Sequence, residues 1–489
     1  MPGCSTERAA ASHDGMAGDR PAVAGPEECA AAAIVASRVR GGWRRSVAAR
    51  VPGRLAGRRQ GPEPDREKRM STIGVAGAGS IGAGLIRLLN TSPAARRLRL
   101  KTVLVRDTAK SRPELPTGTP LTVAPTDLTD DPEIDVVVEL LGGVDEPFRV
   151  LSRALSQGKA VVTANKNLLA ERGPELFGLA AERRLPIGFE ASVCAGMPII
   201  RTLQEALRGD RITALEGVVN GTSNYLLTRM SEERAPYQDC LADAQRLGFA
   251  EPDAEYDVSG RDAACKTGIL ATLAFGAYVD FRRIPTSGID TLDLEDVRQA
   301  EAMGYRIKLV AAARRSASGG LDAEVAAVLL PLQHPLASIR MECNAVRVES
   351  EGLVETLLAG RGAGPGPTSM SLLADLLDIA EGRGRVPGAD HPFIAGVFDL
   401  DNGQRAASRY YLRLAVPDRP GTLAQVAGFF ASQGISLASV LQPEVPEING
   451  GFLVPLILTT HTTDRRRLDL VLAALAAAGW GRHVVLRIR

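Results

Sequence analysis

The chain has 489 residues, 45% of them hydrophobic and 24% charged, with 58 Lys and Arg against 57 Asp and Glu. That is the composition of a globular protein long enough for about three domains, and a formal net charge of +1 leaves no basic excess to attract nucleic acid or anionic lipid. A small molecule is the expected partner. No apolar run reaches the roughly 18 to 20 residues of a membrane span. The six cysteines (Cys4, Cys29, Cys194, Cys240, Cys265, Cys343) are scattered, with no C-x-x-C pair and no histidine at zinc-ligand spacing, as expected of free thiols in a reducing, cytoplasmic compartment. The five histidines form no H-E-x-x-H setting, so proton transfer is expected of Lys, Asp or Glu.

Residues 1–70 are rich in Ala, Arg, Gly and Pro, lack apolar periodicity and end in a charged run at 63–69, which reads as an unfolded extension. Glu7, Asp14, Asp19, Glu27 and Glu28 argue against a transit peptide; translation starting at Met70 is the other reading. Over 71–189, strands at 73–76, 102–105, 136–141 and 160–163 alternate with helices at 81–89 and 148–156, the rhythm of a parallel sheet covered by helices on both faces. Residues 190–385 mix helices with antiparallel-looking strands at 212–219 and 324–330, as in an α+β domain. The glycine-rich passage 360–368 leads into a helix at 371–379, a return segment to the first domain. In residues 407–489, strand 410–416, helix 422–432, strands 436–441 and 452–458, helix 465–478 and strand 484–488 give the ferredoxin-like order β-α-β-β-α-β.

Gly77-Ala78-Gly79-Ser80-Ile81-Gly82 is a G-x-G-x-x-G between a strand and a helix. Gly77 permits the tight turn, Gly79 lets the backbone approach a pyrophosphate, and Gly82 lets helix and strand pack closely. Ser80 and Ile81 open the helix whose free N–H groups face the phosphates. A Rossmann-type nucleotide-binding domain follows. After the second strand, Asp107 would accept from a ribose 2′-hydroxyl and favour NAD, whereas Arg106, Lys110 and Arg112 would hold the 2′-phosphate of NADP. Three cations against one acid tilt the reading to NADP.

Asp262 and Lys266 stand four residues apart on one helical face. The helix continues through 267–276 without a charge, so it must be buried on most sides, which puts the pair at a pocket wall. A buried lysine beside a carboxylate can serve as acid or base. Polar passages at 163–167, 189–198 and 219–225 each follow a probable strand, and a fourth polar passage lies at 248–253.

These passages, with Ser287-Gly288-Ile289, 303–309, 334–337 and Asn344-Ala345-Val346, closely resemble homoserine dehydrogenase over about 73–379. The resemblance implies an α+β catalytic and oligomerisation domain in a homo-oligomer, dimer or tetramer. It also implies NAD(P)H-dependent reduction of L-aspartate 4-semialdehyde to L-homoserine, in threonine, methionine and isoleucine biosynthesis. Lys266 would be the proton donor or acceptor at the carbon that exchanges hydride, Asp262 would hold substrate and orient that lysine, and Lys166 would lie by the nicotinamide and the reacting oxygen. Glu251 would bind the substrate amino group, Gly221, Thr222, Phe249 and Asp257 would line its pocket, and Gly362 would approach the cofactor. A monovalent cation such as Na+ would rest mainly on backbone carbonyls at Glu190, Val193, Ala195 and Met197. The tail, with Asp418-Arg419-Pro420-Gly421-Thr422-Leu423, resembles an ACT domain, which implies an amino-acid effector at a helix N-terminus, threonine being the pathway's end product. Two other readings are a related amino-acid or semialdehyde dehydrogenase and a non-catalytic sensor; a sensor has no use for Lys166 and the Asp262/Lys266 pair.

Overall fold

Six strands form a parallel sheet: β1 (Ser71–Ala76), β2 (Leu98–Leu104), β3 (Leu121–Thr122), β4 (Val136–Glu139), β5 (Ala160–Thr163) and β6 (Ile187–Gly188), in the order β3-β2-β1-β4-β5-β6. The computed structural model describes residues 70–489 except 113–114, 251–252, 317, 402–406, 444–452 and 482; residues 1–69 and Glu251 lie outside the described residues. Strands β4 and β5 are buried at every position, which explains their unbroken apolar runs. Strand order reverses between β1 and β4, the crevice where sheets of this Rossmann type bind nucleotides.

The second sheet has nine strands. Five are β7 (Ile212–Val218), β8 (Tyr305–Arg315), β9 (Leu321–Pro331), β10 (Cys343–Ser350) and β11 (Val354–Arg361). Four belong to the tail: β12 (Arg409–Pro417), β13 (Leu437–Leu441), β14 (Leu453–Thr460) and β15 (His483–Ile488). The order is β11-β10-β7-β8-β9-β15-β12-β14-β13. Within the tail, two helices (Thr422–Ser432 and Arg465–Ala477) bury one face of the strands in a core that includes Tyr410, Leu412, Phe430, Leu456 and Leu475. The tail adds to the catalytic sheet through parallel pairing of β15 with β9, Arg487 opposite Val328 and Ile488 opposite Leu329.

Side chains reinforce that seam. Arg489 pairs with Glu216 of β7 (2.7 Å) and Glu324 of β9 (3.2 Å), and Arg487 with Glu324 (2.7 Å). On the other side of β12, the fully buried Asp296 accepts from Tyr411 Oη (2.9 Å) and from Arg413 Nε (2.7 Å) and Nη2 (2.8 Å).

The helix Pro365–Ala380 returns to the nucleotide-binding half and packs on the helix Ser80–Thr91, where Ser369 Oγ donates to the Ile81 carbonyl (3.0 Å). It starts six residues before the sequence expectation, because Gly364 (φ +102) ends the extended segment and Pro365 suits the first helical position. No described helix is long and apolar enough to cross a membrane.

Candidate active site

The helix Arg261–Phe275 is buried except at Arg261 and Ala274, so the charged pair in its first turns lies inside the protein. Lys266 Nζ donates to Asp262 Oδ2 (2.8 Å) and to the Val219 carbonyl (2.8 Å) at the end of β7. The other carboxylate oxygen, Asp262 Oδ1, faces Lys166 Nζ at 3.2 Å. Lys166 is the first residue of the helix that follows β5, so it stands at the carboxyl end of the parallel sheet, where ligands bind. Side-chain exposure is 5% for Asp262, 11% for Lys266 and 29% for Lys166.

Burial works to raise the Asp262 pKa, but the charges of Lys266 and then Lys166, with hydrogen bonds from Lys266 and Asn220, hold it down at about 2. Burial works against the Lys266 ammonium, yet the Asp262 charge and hydrogen bond carry its pKa above the ordinary 10.5. At neutral pH the pair is ammonium and carboxylate.

Asn220 ties this pair to Asp257. Its Nδ2 donates to Asp262 Oδ2 and Asp257 Oδ1, both at 2.8 Å, while its Oδ1 caps the helix Gly221–Glu232 by accepting from Ser223 N (2.7 Å). Thr222 Oγ1 lies 2.7 Å from the Phe249 carbonyl and 3.1 Å from Asp257 Oδ2. The Phe249 ring is exposed and packs on Tyr225 at 5.1 Å, so only its carbonyl joins Thr222. Burial, then the Asp262 charge, pushes the Asp257 pKa up against the hydrogen bonds from Asn220 and Thr222. A Cβ on Gly221 would stand 2.8 Å from the Glu342 carbonyl oxygen, so that position has no room for a side chain. Asn220 lies within the polar passage 219–225 but has no role in the sequence reading; an Asn before Gly-Thr-Ser at a strand end is a helix-capping signal that could have found it.

The nucleotide cleft, about 490 Å³, is lined by Gly77, Gly79, Ser80, Arg106, Asp107, Lys110 and Arg112. A Cβ at Gly77 (φ +111) would stand 2.5 Å from the Leu140 carbonyl, and one at Gly82 2.2 Å from the Gly77 carbonyl. Protein packing thus demands two of the three glycines. At Gly79 a Cβ would meet nothing within 4 Å; that opening is what a pyrophosphate approaching the backbone requires. Asp107 Oδ1 accepts from Ala109 N (2.8 Å) inside its own turn. Gly362 lies at another seam: a Cβ there would stand 2.1 Å from Asn344 Oδ1, and Asn344 Nδ2 meets Cys194 Sγ at 3.6 Å.

The segment from Glu190 to Met197 is buried except at Gly196. Glu190 spends its carboxylate on Ile200 N (3.0 Å) and Arg201 N (2.9 Å), and burial pushes its pKa up to about 7. The Met197 carbonyl accepts from Ile199 N (2.7 Å) and the Ala195 carbonyl from Ser371 Oγ (3.5 Å). Cys194 turns the chain at φ +50. Among the described residues, no group of three His, Cys, Asp or Glu side chains could hold a metal ion, so a cation here would depend on backbone oxygens.

The chain is similar to known proteins over most of its described length. Residues 198–377 match the family model for homoserine dehydrogenase, residues 77–190 that for the homoserine dehydrogenase NAD binding domain, and residues 410–479 that for the ACT domain. The chain is 39% identical over 434 residues to a homoserine dehydrogenase of Pseudomonas aeruginosa, covering 85% of this chain and 98% of that one. It is 37% identical to one of Bacillus subtilis, covering 82% and 94%. Among solved structures, a homoserine dehydrogenase from Thiobacillus denitrificans aligns with a TM-score of 0.77 at 37% identity, over 86% of this chain and 98% of that one. A hyperthermophilic archaeal homoserine dehydrogenase in complex with NADPH aligns with a TM-score of 0.55 at 25% identity, over 65% and 99%.

Proposed function

Since this chain belongs to the homoserine dehydrogenase family, nicotinamide-dependent oxidoreductases, and carries an ACT domain, we propose that it reduces L-aspartate 4-semialdehyde to L-homoserine on the route to threonine, methionine and isoleucine. The observation that carries this reading is the convergence of Lys166 and Lys266 on one buried carboxylate at the mouth of the nucleotide-binding sheet. A bound nicotinamide supplies or takes the hydride. Lys266 gives a proton to the carbonyl oxygen as negative charge develops there, and Lys166 adds a second positive charge on the same side. Asp262 keeps both ammonium groups in place. Glu251 takes the substrate amino group, while Gly221, Thr222, Phe249 and Asp257 shape its pocket.

Arg106, Lys110 and Arg112 favour NADP, because they line the cleft while one Asp107 oxygen is already held by its turn; NAD is the weaker partner. A monovalent cation such as Na+ rests on carbonyls of Glu190, Val193, Ala195 and Met197, a reading supported by a buried segment whose one carboxylate is engaged elsewhere. Threonine is the effector, read at Gly421 (φ +90) and Thr422, whose buried hydroxyl has no hydrogen-bond partner among the described residues. The enzyme works in the cytoplasm as a dimer or tetramer. Oxidation of NADPH on addition of aspartate semialdehyde, with homoserine as the product, is the test; no turnover with either NADPH or NADH overturns the assignment.

A further inference from the structure

Tyr256 takes no part in the proton transfer above, yet it touches Lys166 and the sequence neighbours of both lysines. It lies in the short helix Glu255–Val258 beside Asp257. The Lys166 ammonium sits over its ring, 5.6 Å from the centroid. Its hydroxyl donates to Asn167 Oδ1 (2.6 Å), next in sequence to Lys166, and lies 3.2 Å from Cys265 Sγ, next to Lys266. The phenol has one proton and Asn167 takes it, so the thiol must be the donor to the phenol oxygen. Cys265 can fill that role because burial pushes its pKa up to about 11, which keeps it a thiol at neutral pH. The ring is therefore pinned at its polar edge by one residue from each of the two helices that present the lysines.

Lys166 needs such support. Its 3.2 Å contact with Asp262 is long for a hydrogen bond between charged groups, and its side chain is the most exposed of the three. An aromatic face attracts an ammonium through the ring quadrupole and does so more strongly where water is excluded. We infer that Tyr256 is a positioning residue for the reaction, its ring holding the Lys166 ammonium against Asp262 and its hydroxyl locking the ring between the nucleotide-binding and catalytic halves. This rests on the role proposed for Lys166.

The experiment is a double-mutant cycle on the full chain, read as kcat for aspartate semialdehyde reduction and as Kd for NADPH. Tyr256→Leu should lower kcat about tenfold and change the NADPH Kd less than about twofold. Tyr256→Phe, which keeps the ring, should stay within about threefold of wild type, and Tyr256→Met, which lacks it, must reproduce the Leu loss. In a Lys166→Met background Tyr256→Leu should add less than about twofold, because a residue acting through another loses its effect once that other is gone. Losses that multiply across the cycle, or a Phe variant as slow as Leu, overturn the inference. A wild-type protein without turnover overturns the functional reading instead, so the two failures are distinguishable.

Discussion

A lysine ammonium has three N–H donors. Lys266 gives one to Asp262 and one to the Val219 carbonyl, which leaves one for a substrate oxygen. Lys266→Ala should therefore lower turnover by about 10²–10⁴ and leave the NADPH Kd within about twofold, measured by steady-state kinetics and cofactor fluorescence. The pH dependence follows from direction. With its pKa raised above 10.5, Lys266 is charged for reduction throughout the neutral range, whereas homoserine oxidation needs the neutral amine. Oxidation rates should climb with pH past 10 while reduction stays level to that point; profiles in the two directions that coincide would contradict the assignment. The same pair contributes stability fully between the ordinary carboxylate and lysine pKa values, lost on one side as pH falls through about 2 and on the other as it rises through the raised lysine value. The Asp262/Lys266 pair was legible because helical spacing and an uncharged continuation are local signals. The capping role of Asn220 has a local signal, but its bond to Asp262 and that of Tyr256 to Asn167 span 42 and 89 residues, and no local pattern encodes those contacts.

Among the elements, the connection at Ser287-Gly288-Ile289 has a specific duty. Ser287 N donates to the Val325 carbonyl of β9 and Ile289 N to the Val258 carbonyl, both at 2.8 Å. Between them, a Cβ on Gly288 would stand 2.0 Å from the Val258 carbonyl oxygen and 2.6 Å from Ser259 Cα. The clamp fixes the short helix that carries Tyr256 and Asp257. Gly288→Ala must push that backbone away, at a cost of about 1–3 kcal/mol. The expected result is a lower denaturation midpoint and a higher KM for the semialdehyde with unchanged NADPH affinity; an unaltered KM would show that the clamp does not reach the pocket. The sequence marked this passage only by resemblance, since its contacts are backbone to backbone. The hairpin of β10 and β11 escaped notice for a related reason. Its turn is closed by Asp210, which accepts from Gly352 N and Leu353 N at 2.9 Å, a capping residue about 140 positions earlier.

At the scale of the whole molecule, the tail is held by a buried charge. Asp296 has no solvent exposure and depends on Arg413 and Tyr411. Arg413→Met leaves that buried carboxylate without its counter-charge, a loss of about 3–5 kcal/mol that urea unfolding will read as a lower midpoint; a midpoint within error of wild type would mean that the tail is anchored elsewhere. Threonine should lower the rate of the wild-type enzyme in a titration, and a flat response would leave the ACT unit with a pairing role. The tail's internal order was readable from its periodicity. Its fusion to the catalytic sheet was not, because β15 and β9 meet across about 160 residues of chain, through backbone bonds that any side chain permits.

That fusion has a mechanical consequence. Strands bonded edge to edge share one twist, and the β9 positions that grip β15, Val328 and Leu329, lie three and four residues beyond the Val325 that holds Ser287. A ligand that rotated the tail would thus apply torque to a stiff ribbon whose far attachment is the floor under Asp257. Its signature would be looser or tighter grip on the amino acid being reduced, with the dinucleotide barely noticing.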